Sequence, residues 1–389
     1  MATAVSPELA AKKAAETPEA APMKAAITLS NLKHALKIVG MAIERTATIP
    51  ILQCVRMEQI TDGLALEATN LDVYVRAVVK ELGGPEKPVV IPAEKFTAWT
   101  KLLAGEDVKI SATDRRATMQ CGRSRAVLPV MSAASWPSNE VYGMKAEGIT
   151  LTQGDFARAL RFVMIAVSQE ESRYTLNGVL LQGDGERLRL VATDGHRLMA
   201  YTLPCTEKIT LLLPSRFIKA LLPLLNDEDG GVDLCFSDRM ILSSIDADMR
   251  VYVASTKLTG QFPNWEAVMP SGKRTEITVN AKEMLASLER CGLLSDERSG
   301  CVRLTFDEQI TIEASSSQSG EATETVDCKG RPNEKLYIGV NGAYLTDLVK
   351  RLDGEITISL PDTNQSPLLI KADPHEGETL GYVVMPMRV

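Results

Sequence analysis

Three stretches of the sequence decide the fold: Ile27-Thr-Leu-Ser-Asn-Leu-Lys-His-Ala-Leu36, Ile149-Thr-Leu-Thr-Gln-Gly-Asp-Phe-Ala-Arg-Ala-Leu160 and Ile277-Thr-Val-Asn-Ala-Lys-Glu-Met-Leu-Ala-Ser-Leu288. Each opens with Ile, Thr and an apolar residue, a short strand pattern. Each then passes through Ser30, Thr152 or Asn280, residue types that cap helix N-termini, into apolar residues at helical spacing. Ile149 follows Ile27 by 122 residues, and Ile277 follows Ile149 by 128. A long internal period of this kind signals a repeated structural unit.

Other markers share the period. A second helical pattern follows Val90-Ile-Pro92, Leu212-Leu-Pro214 and Gly339-Val-Asn341. Its apolar positions are Phe96, Trp99, Leu102 and Leu103 in the first copy, and Phe217, Leu221, Leu224 and Leu225 in the second. In the third they are Tyr344, Leu345, Leu348 and Leu352. Alternating segments beginning at Leu64, Leu188 and Ile310 read as strands leading into polar turns. Trp136-Pro137 and Phe262-Pro263 close the first two copies. The expected architecture is α+β: three repeated domains, each with two helices packed on antiparallel sheets. The expected boundaries are residues 23–147, 148–274 and 275–389, after a disordered extension over residues 1–22, where Ala, Pro, Glu and Lys offer nothing to bury.

Composition narrows the function classes. A chain of 389 residues, 45% hydrophobic, exceeds what one core supports. The seven Cys form no CxxC pair, and the three His (His34, His196, His375) show no metal-ligand spacing, so neither a zinc site nor a disulfide framework is expected. Unpaired thiols fit a reducing cytosol. No apolar run is long enough for a membrane span, and the N-terminus has no signal-peptide pattern. The sequence contains neither a G-x-S-x-G elbow nor a GxxxxGK[ST] loop. Asp194-Gly195-His196-Arg197 is the nearest thing to a catalytic cluster, and Asp-Gly is first of all a turn signal.

The net charge of −7 argues against simple attraction to nucleic acid, but its distribution does not. The six helical windows (30–43, 92–103, 152–167, 214–225, 280–291 and 341–352) hold twelve basic residues against five acidic ones. Helices that are selectively basic on an acidic chain would, on one shared surface, hold phosphate loosely without reading bases.

Four motifs give the chain a resemblance to a known family across residues 23–389. They are Thr48-Ile-Pro-Ile-Leu52, Ala192-Thr-Asp-Gly-His-Arg-Leu198, Phe262-Pro-Asn-Trp-Glu-Ala-Val-Met-Pro270 and Tyr382-Val-Val-Met-Pro-Met-Arg388. In these the chain resembles the bacterial DNA polymerase III β sliding clamps. The resemblance implies three DNA-clamp domains per chain, closed as a head-to-tail homodimer ring around duplex DNA, a processivity factor rather than an enzyme. It implies no cofactor and a cytoplasmic location. The implied partners are duplex DNA without regard to sequence, a second copy of the chain, and proteins bearing linear peptide motifs. Those proteins are the replicative DNA polymerase, the clamp loader, repair polymerases, mismatch repair and ligase. A specialised clamp paralogue with altered partner binding is the alternative, and an enzyme working at Asp194 and His196 is the rival from another class.

The resemblance also implies sites. A partner-peptide pocket between the second and third domains would be lined by Leu176, Thr193, Gly195, His196, Arg197, Leu198, Pro263, Val268, Asn341, Tyr344, Val383, Val384, Met385, Pro386, Met387 and Arg388. DNA-facing residues would be Lys33, Lys37, Arg45, Arg158, Arg161, Arg216, Lys219 and Lys282. The dimer contact would set Arg123, Arg125 and Leu128 against Leu293, Leu294, Glu321 and Glu324. Ala267 stands where the family often has Arg, Val389 where Leu is commoner, and Ala126 where some relatives have a larger aromatic.

Overall fold

The computed structural model describes residues 26–388 apart from 45, 82, 86, 138–146, 171, 227–229, 238–239, 246–248 and 273. The expected N-terminal extension, Arg45 and Val389 therefore lie outside the described residues. The chain divides into two compact units, Met1–Lys145 with Leu242–Ser255, and Ala146–Ile241 with Thr256–Val389.

In the first unit, helix α1 (Leu29–Val39) and helix α2 (Ala93–Leu102) pack together, and α1 lies on the strands Gly63–Thr69 and Val73–Val79. Those strands sit in a sheet ordered Val89–Pro92, Cys54–Ile60, Gly63–Thr69, Val73–Val79 and Met249–Thr256. A second, four-stranded sheet runs Ala26–Thr28, Asp107–Ala112, Arg116–Cys121 and Ser124–Pro129.

The second unit carries α3 (Gln153–Val163), α4 (Ser215–Leu221), α5 (Ala281–Gly292) and α6 (Gly342–Val349). Its main feature is one continuous twelve-stranded sheet. The order is Lys208–Pro214, Gly178–Asp184, Arg187–Thr193, Arg197–Pro204, Thr379–Val384, Leu368–Ala372, Glu355–Ser359, Glu276–Asn280, Gly320–Lys329, Gln309–Ser316, Cys301–Phe306 and Leu336–Asn341. Its strand pairings among the described residues are antiparallel, as hairpins and short returns allow. Helix α3 packs on Arg187–Thr193 and Arg197–Pro204, and α5 on Gln309–Ser316 and Gly320–Lys329, repeating the placement of α1.

The repeat is also visible in the hydrogen bonds. The first amide of each leading helix donates to a carbonyl from a returning turn: Leu29 N to Glu106 O (2.6 Å), Gln153 N to Gly230 O (2.7 Å) and Ala281 N to Gly354 O (2.9 Å). The three acceptors are each 124 residues apart. These bonds satisfy donors that a helix N-terminus otherwise leaves open.

This explains where the capping expectation holds and where it fails. Asn280 caps α5, its Oδ1 accepting from Lys282 N (3.0 Å) and Glu283 N (3.3 Å). Thr152 occupies the cap position of α3 without a side-chain bond. Ser30 lies inside α1, whose cap is Thr28; there the Glu81 carboxylate accepts from Thr28 N (2.7 Å) and Asn31 Nδ2 (2.5 Å). Leu102 also departs from its expected place and is 86% exposed. Six residues after the buried Phe96 the helix has turned well away from that face, whereas Leu103 returns to it and is buried.

Candidate functional site

Two of the four motifs meet as neighbouring strands. The strand Arg197–Pro204, from the second repeat, pairs with Thr379–Val384, from the third, with Arg197 opposite Val384 and Leu198 opposite Val383. This seam joins the two repeats, and the candidate site lies at the end where both motifs emerge.

One wall is the turn Thr193–Arg197. The Thr193 hydroxyl donates to Arg197 O (2.7 Å) and accepts from Gly195 N (3.1 Å), while Asp194 Oδ1 accepts from His196 N and Arg197 N (2.9 Å each). Gly195 has φ +91°, a conformation that suits glycine. The turn leaves Gly195 and His196 exposed. The other wall is the C-terminal segment, tied to both repeats: Met385 N donates to His196 O (2.9 Å) and Met387 N to Gly339 O (2.7 Å). Met385, Pro386 and Met387 stay half-buried, and Arg388 is exposed. The floor is an apolar cluster containing Leu180, Leu198, Leu212, Phe262, Trp265 and Val383, with Leu176, Val268 and Met269 packed against it.

The polar groups beneath are heavily used. Arg197 Nε donates to Asp194 Oδ2 (3.0 Å), Nη1 to Asp347 Oδ2 (3.0 Å), and the guanidinium lies 4.2 Å over the Tyr344 ring. Burial opposes the Arg197 charge, but Tyr382, Asp347 and Asp194 outweigh it and hold its pKa above the ordinary arginine value. Burial pushes the Tyr382 phenol up; its hydroxyl donates to Tyr344 O (3.0 Å). Asn341 is committed locally, accepting from Ala343 N (3.0 Å) as the cap of α6 and donating to Ser299 O (3.2 Å). Pro263 is exposed beside Phe262.

The structure thus brings together Leu176, Thr193, Gly195, His196, Arg197, Leu198, Val268, Tyr344 and the 383–388 segment. Residues that sequence reasoning did not single out also belong here. Arg173 bonds Asp194 O (3.2 Å) and Glu170 Oε2 (3.0 Å). Trp265 donates from Nε1 to Gln182 Oε1 (3.1 Å). Asp347 and Tyr382 complete the set. Trp265 and Tyr382 lay within quoted motifs; Asp347 carried no signal, since one acid on a basic helix reads as solvated surface.

At the far end of the same seam, Glu378 is 3% exposed and accepts from Arg158 Nε (2.8 Å), Arg158 Nη2 (2.8 Å) and the Tyr201 hydroxyl. Arg158 also bonds Asp155 (2.5 Å). Although burial opposes ionisation, Arg158 and Tyr201 hold the Glu378 carboxyl below its usual range. Arg158, expected to face DNA, stays partly exposed while its guanidinium pairs with the buried Glu378 and the half-exposed Asp155.

Of the other expected DNA-facing residues, Lys37, Arg161, Arg216, Lys219 and Lys282 are exposed, Lys282 lying 3.3 Å from Asp353. Lys33 is half-buried and donates to Leu103 O (3.0 Å). In the expected dimer edges, Arg123 and Arg125 are exposed and Leu128 half-buried. Leu293 is 80% exposed, Leu294 half-buried and Glu321 exposed. Glu324 is already engaged, accepting from Arg290 Nε (2.9 Å) and Nη2 (2.6 Å).

Comparison with known proteins gives this geometry a family. Residues 23–140, 150–264 and 266–388 match, in order, the N-terminal, central and C-terminal domains of the DNA polymerase III beta subunit. The chain belongs to the DNA polymerase III beta subunit family. It is 31% identical over 386 residues to the beta sliding clamp of Caulobacter vibrioides, covering 94% of this chain and all of that one. It is 29% identical over 364 residues to the beta sliding clamp of Pseudomonas aeruginosa, covering 91% and 96%. A crystal structure of the DNA polymerase sliding clamp from Pseudomonas aeruginosa with ligand superposes at TM-score 0.85, with 26% identity, covering 94% of this chain and 99% of that one. The C. crescentus beta sliding clamp, with PEG bound to a putative beta-motif tethering region, superposes at TM-score 0.84, with 29% identity and coverage of 94% and 99%. As a beta subunit, the chain is built of three clamp domains mixing helix and sheet.

Proposed function

We propose that the chain acts as a DNA sliding clamp: two copies close head to tail around duplex DNA and tether partners through the site at the seam between the second and third domains. The observation that carries the peptide site is the register of Arg197 against Val384, which sets the two specific motifs side by side over an apolar floor. An extended peptide suits such a place. Its apolar anchors enter the floor, and the turn amides and half-buried methionines adapt to different sequences. The partners are the replicative polymerase, clamp loader, repair polymerases, mismatch repair and ligase, all through linear motifs. Matches across all three domains favour this over a specialised paralogue.

Lys37, Arg161, Arg216, Lys219 and Lys282 are the residues we assign to phosphate, through contacts that are weak, salt-sensitive and blind to sequence. The chain itself performs no catalysis and works in the cytoplasm. No described helix is long and apolar enough to cross a membrane, and the described residues hold no group of three metal-ligating side chains.

Ring closure uses two strand edges. Ser124–Pro129 is the outermost strand of its sheet. Gly320–Lys329 is paired on one side along its length, but on the other only at Cys328 and Lys329 among the described residues. Such edges invite pairing with another chain. Leu293, buried against Leu128 of a second copy, would contribute roughly 1.5–3 kcal/mol. The expected pairing of Arg123 and Arg125 falls mainly to Glu321, because Arg290 holds Glu324; exposed pairs of this kind add about 0–1 kcal/mol each. Sedimentation equilibrium, combined with loading onto nicked circular DNA, tests the proposal. A dimer retained on the circle and released when the DNA is linearised is expected; a monomer never trapped on circles would overturn it.

A further inference from the structure

Asp347 stands at the peptide site without being part of any motif that points there. It lies on α6, in the third domain, yet its Oδ2 accepts from Nη1 of Arg197 in the second domain at 3.0 Å. Its other oxygen, Oδ1, accepts from Lys350 Nζ at 2.6 Å on the outer side of the helix. Arg197 is only 12% exposed, so little of it is presented to an incoming chain. Its guanidinium is engaged on three sides: Nε on Asp194, Nη1 on Asp347, and its face over the Tyr344 ring. Bridging two carboxylates from one plane while stacked on a ring is what arginine does and lysine cannot.

We propose that Asp347 is a positioning residue for the peptide site, anchoring Arg197 across the domain seam so that the guanidinium acts as a strut between the turn Thr193–Arg197 and helix α6. The inference rests on the peptide-site reading above. Asp194 fixes the strut to the turn that presents Gly195 and His196. Asp347 fixes it to α6, which presents Tyr344. The Tyr382 hydroxyl, bonded to Tyr344 O, closes the same frame from the central strand. Without the carboxylate, Arg197 keeps its place on the turn but loses its hold on α6, and the spacing between the turn and Tyr344 is no longer set.

The test is equilibrium fluorescence anisotropy on the full chain, using a labelled synthetic peptide with spaced Leu and Phe anchors. Asp347→Asn and Arg197→Lys should each weaken binding about tenfold, and the double variant by the same factor rather than the product, because both remove one coupling. Lys350→Ala should stay within about twofold, since it strips the outer partner of the same carboxylate and leaves Arg197 held. Asp347→Glu should recover part of the loss. Thermal melts of each variant confirm that the chain is folded at the assay temperature. A loss in Arg197→Lys with none in Asp347→Asn, or losses that multiply in the double variant, would show that Arg197 acts on the peptide itself and would overturn the inference. Equal losses in Lys350→Ala and Asp347→Asn would overturn it too, as a mere charge effect of α6. If the wild-type chain fails to bind the peptide yet is trapped on circular DNA, the peptide-site reading falls separately from the ring.

Discussion

The turn Thr69–Val73 in the first repeat and the turn Thr193–Arg197 in the second use one backbone device for different ends. In each, the Thr hydroxyl donates to the carbonyl four residues on (Val73 O, 2.9 Å; Arg197 O, 2.7 Å) and accepts the amide two residues on (Leu71 N, 2.9 Å; Gly195 N, 3.1 Å). In each, the next side chain, Asn70 or Asp194, accepts the amide three residues on at 2.9 Å. Both turns place their third residue at positive φ, Leu71 at +77° and Gly195 at +91°. Both open a strand that carries a partner strand, Val73 opposite Ser255 and Arg197 opposite Val384. The first turn ends in buried Val73 and holds Leu71 in a backbone region that costs an L-residue roughly 1–2 kcal/mol. The second ends in Arg197, which reaches Asp347 and Tyr344. Repetition supplied the frame; the residues at its third and fifth positions decide whether it only joins strands or also builds a wall.

The cluster of Arg158, Tyr201 and Glu378, at the far end of the seam that Arg197 opens, gives the largest effect. Glu378→Ala takes the acceptor from the buried Tyr201 hydroxyl and leaves Arg158 with Asp155, and because Arg158 is partly exposed the expected loss is about 2–3 kcal/mol, below that for a fully buried pair. A denaturant midpoint unchanged from wild type would break the view that this seam is held at both ends. Next comes Gly195→Leu, which writes the first turn's residue into the second. The backbone should cost roughly 1–2 kcal/mol, and peptide affinity should fall at least about tenfold as the new side chain fills the wall. Leu71→Phe, by contrast, should leave peptide affinity untouched. An equal loss from both would dissolve the distinction between the turns.

Acid sharpens the same contrast. The Glu378 and Asp347 carboxyls are held below their ordinary values, by Arg158 and Tyr201 and by Lys350 and Arg197, against the opposing pull of burial. Their contribution is therefore present above the unfolded-state values, about 4, and is lost as pH falls through the lower folded values. Melting temperature should drop below roughly pH 4.5, and less so in Glu378→Gln; equal acid sensitivity of that variant and wild type would assign the effect elsewhere. The smallest effect belongs to Leu71→Gly, where relief of the positive φ is offset by a freer unfolded chain. A net change within about 1 kcal/mol is expected by chemical denaturation.

Much of the architecture was legible because the three leading strands and helices repeat their apolar spacing, and the buried Ile27, Ile149 and Ile277 carry it. Capping was read less well. Ser30 has the right chemistry, but Glu81, far off in sequence, already serves that helix end. Arg158 shows the same limit more sharply: from sequence it is one more basic residue on a basic helix, and its pairing with Glu378, brought beside it by the seam, could not be read there. Charge on a helix can be counted in a sequence, but whether it faces solvent depends on long-range pairing. Asp347 was invisible for the same reason.

The seam between Arg197–Pro204 and Thr379–Val384 has one more consequence, for how the protein is made. A ribosome completes the first of these strands long before the second exists. In the interval, the growing sheet of the second domain ends in an open row of amides and carbonyls, bordered by the apolar surfaces of Leu198 and Ala200. An exposed edge of that kind is where nascent chains stick to one another. Synthesis at low temperature, or with a holdase chaperone present, should therefore raise the yield of folded protein more than the stability of the finished chain would suggest.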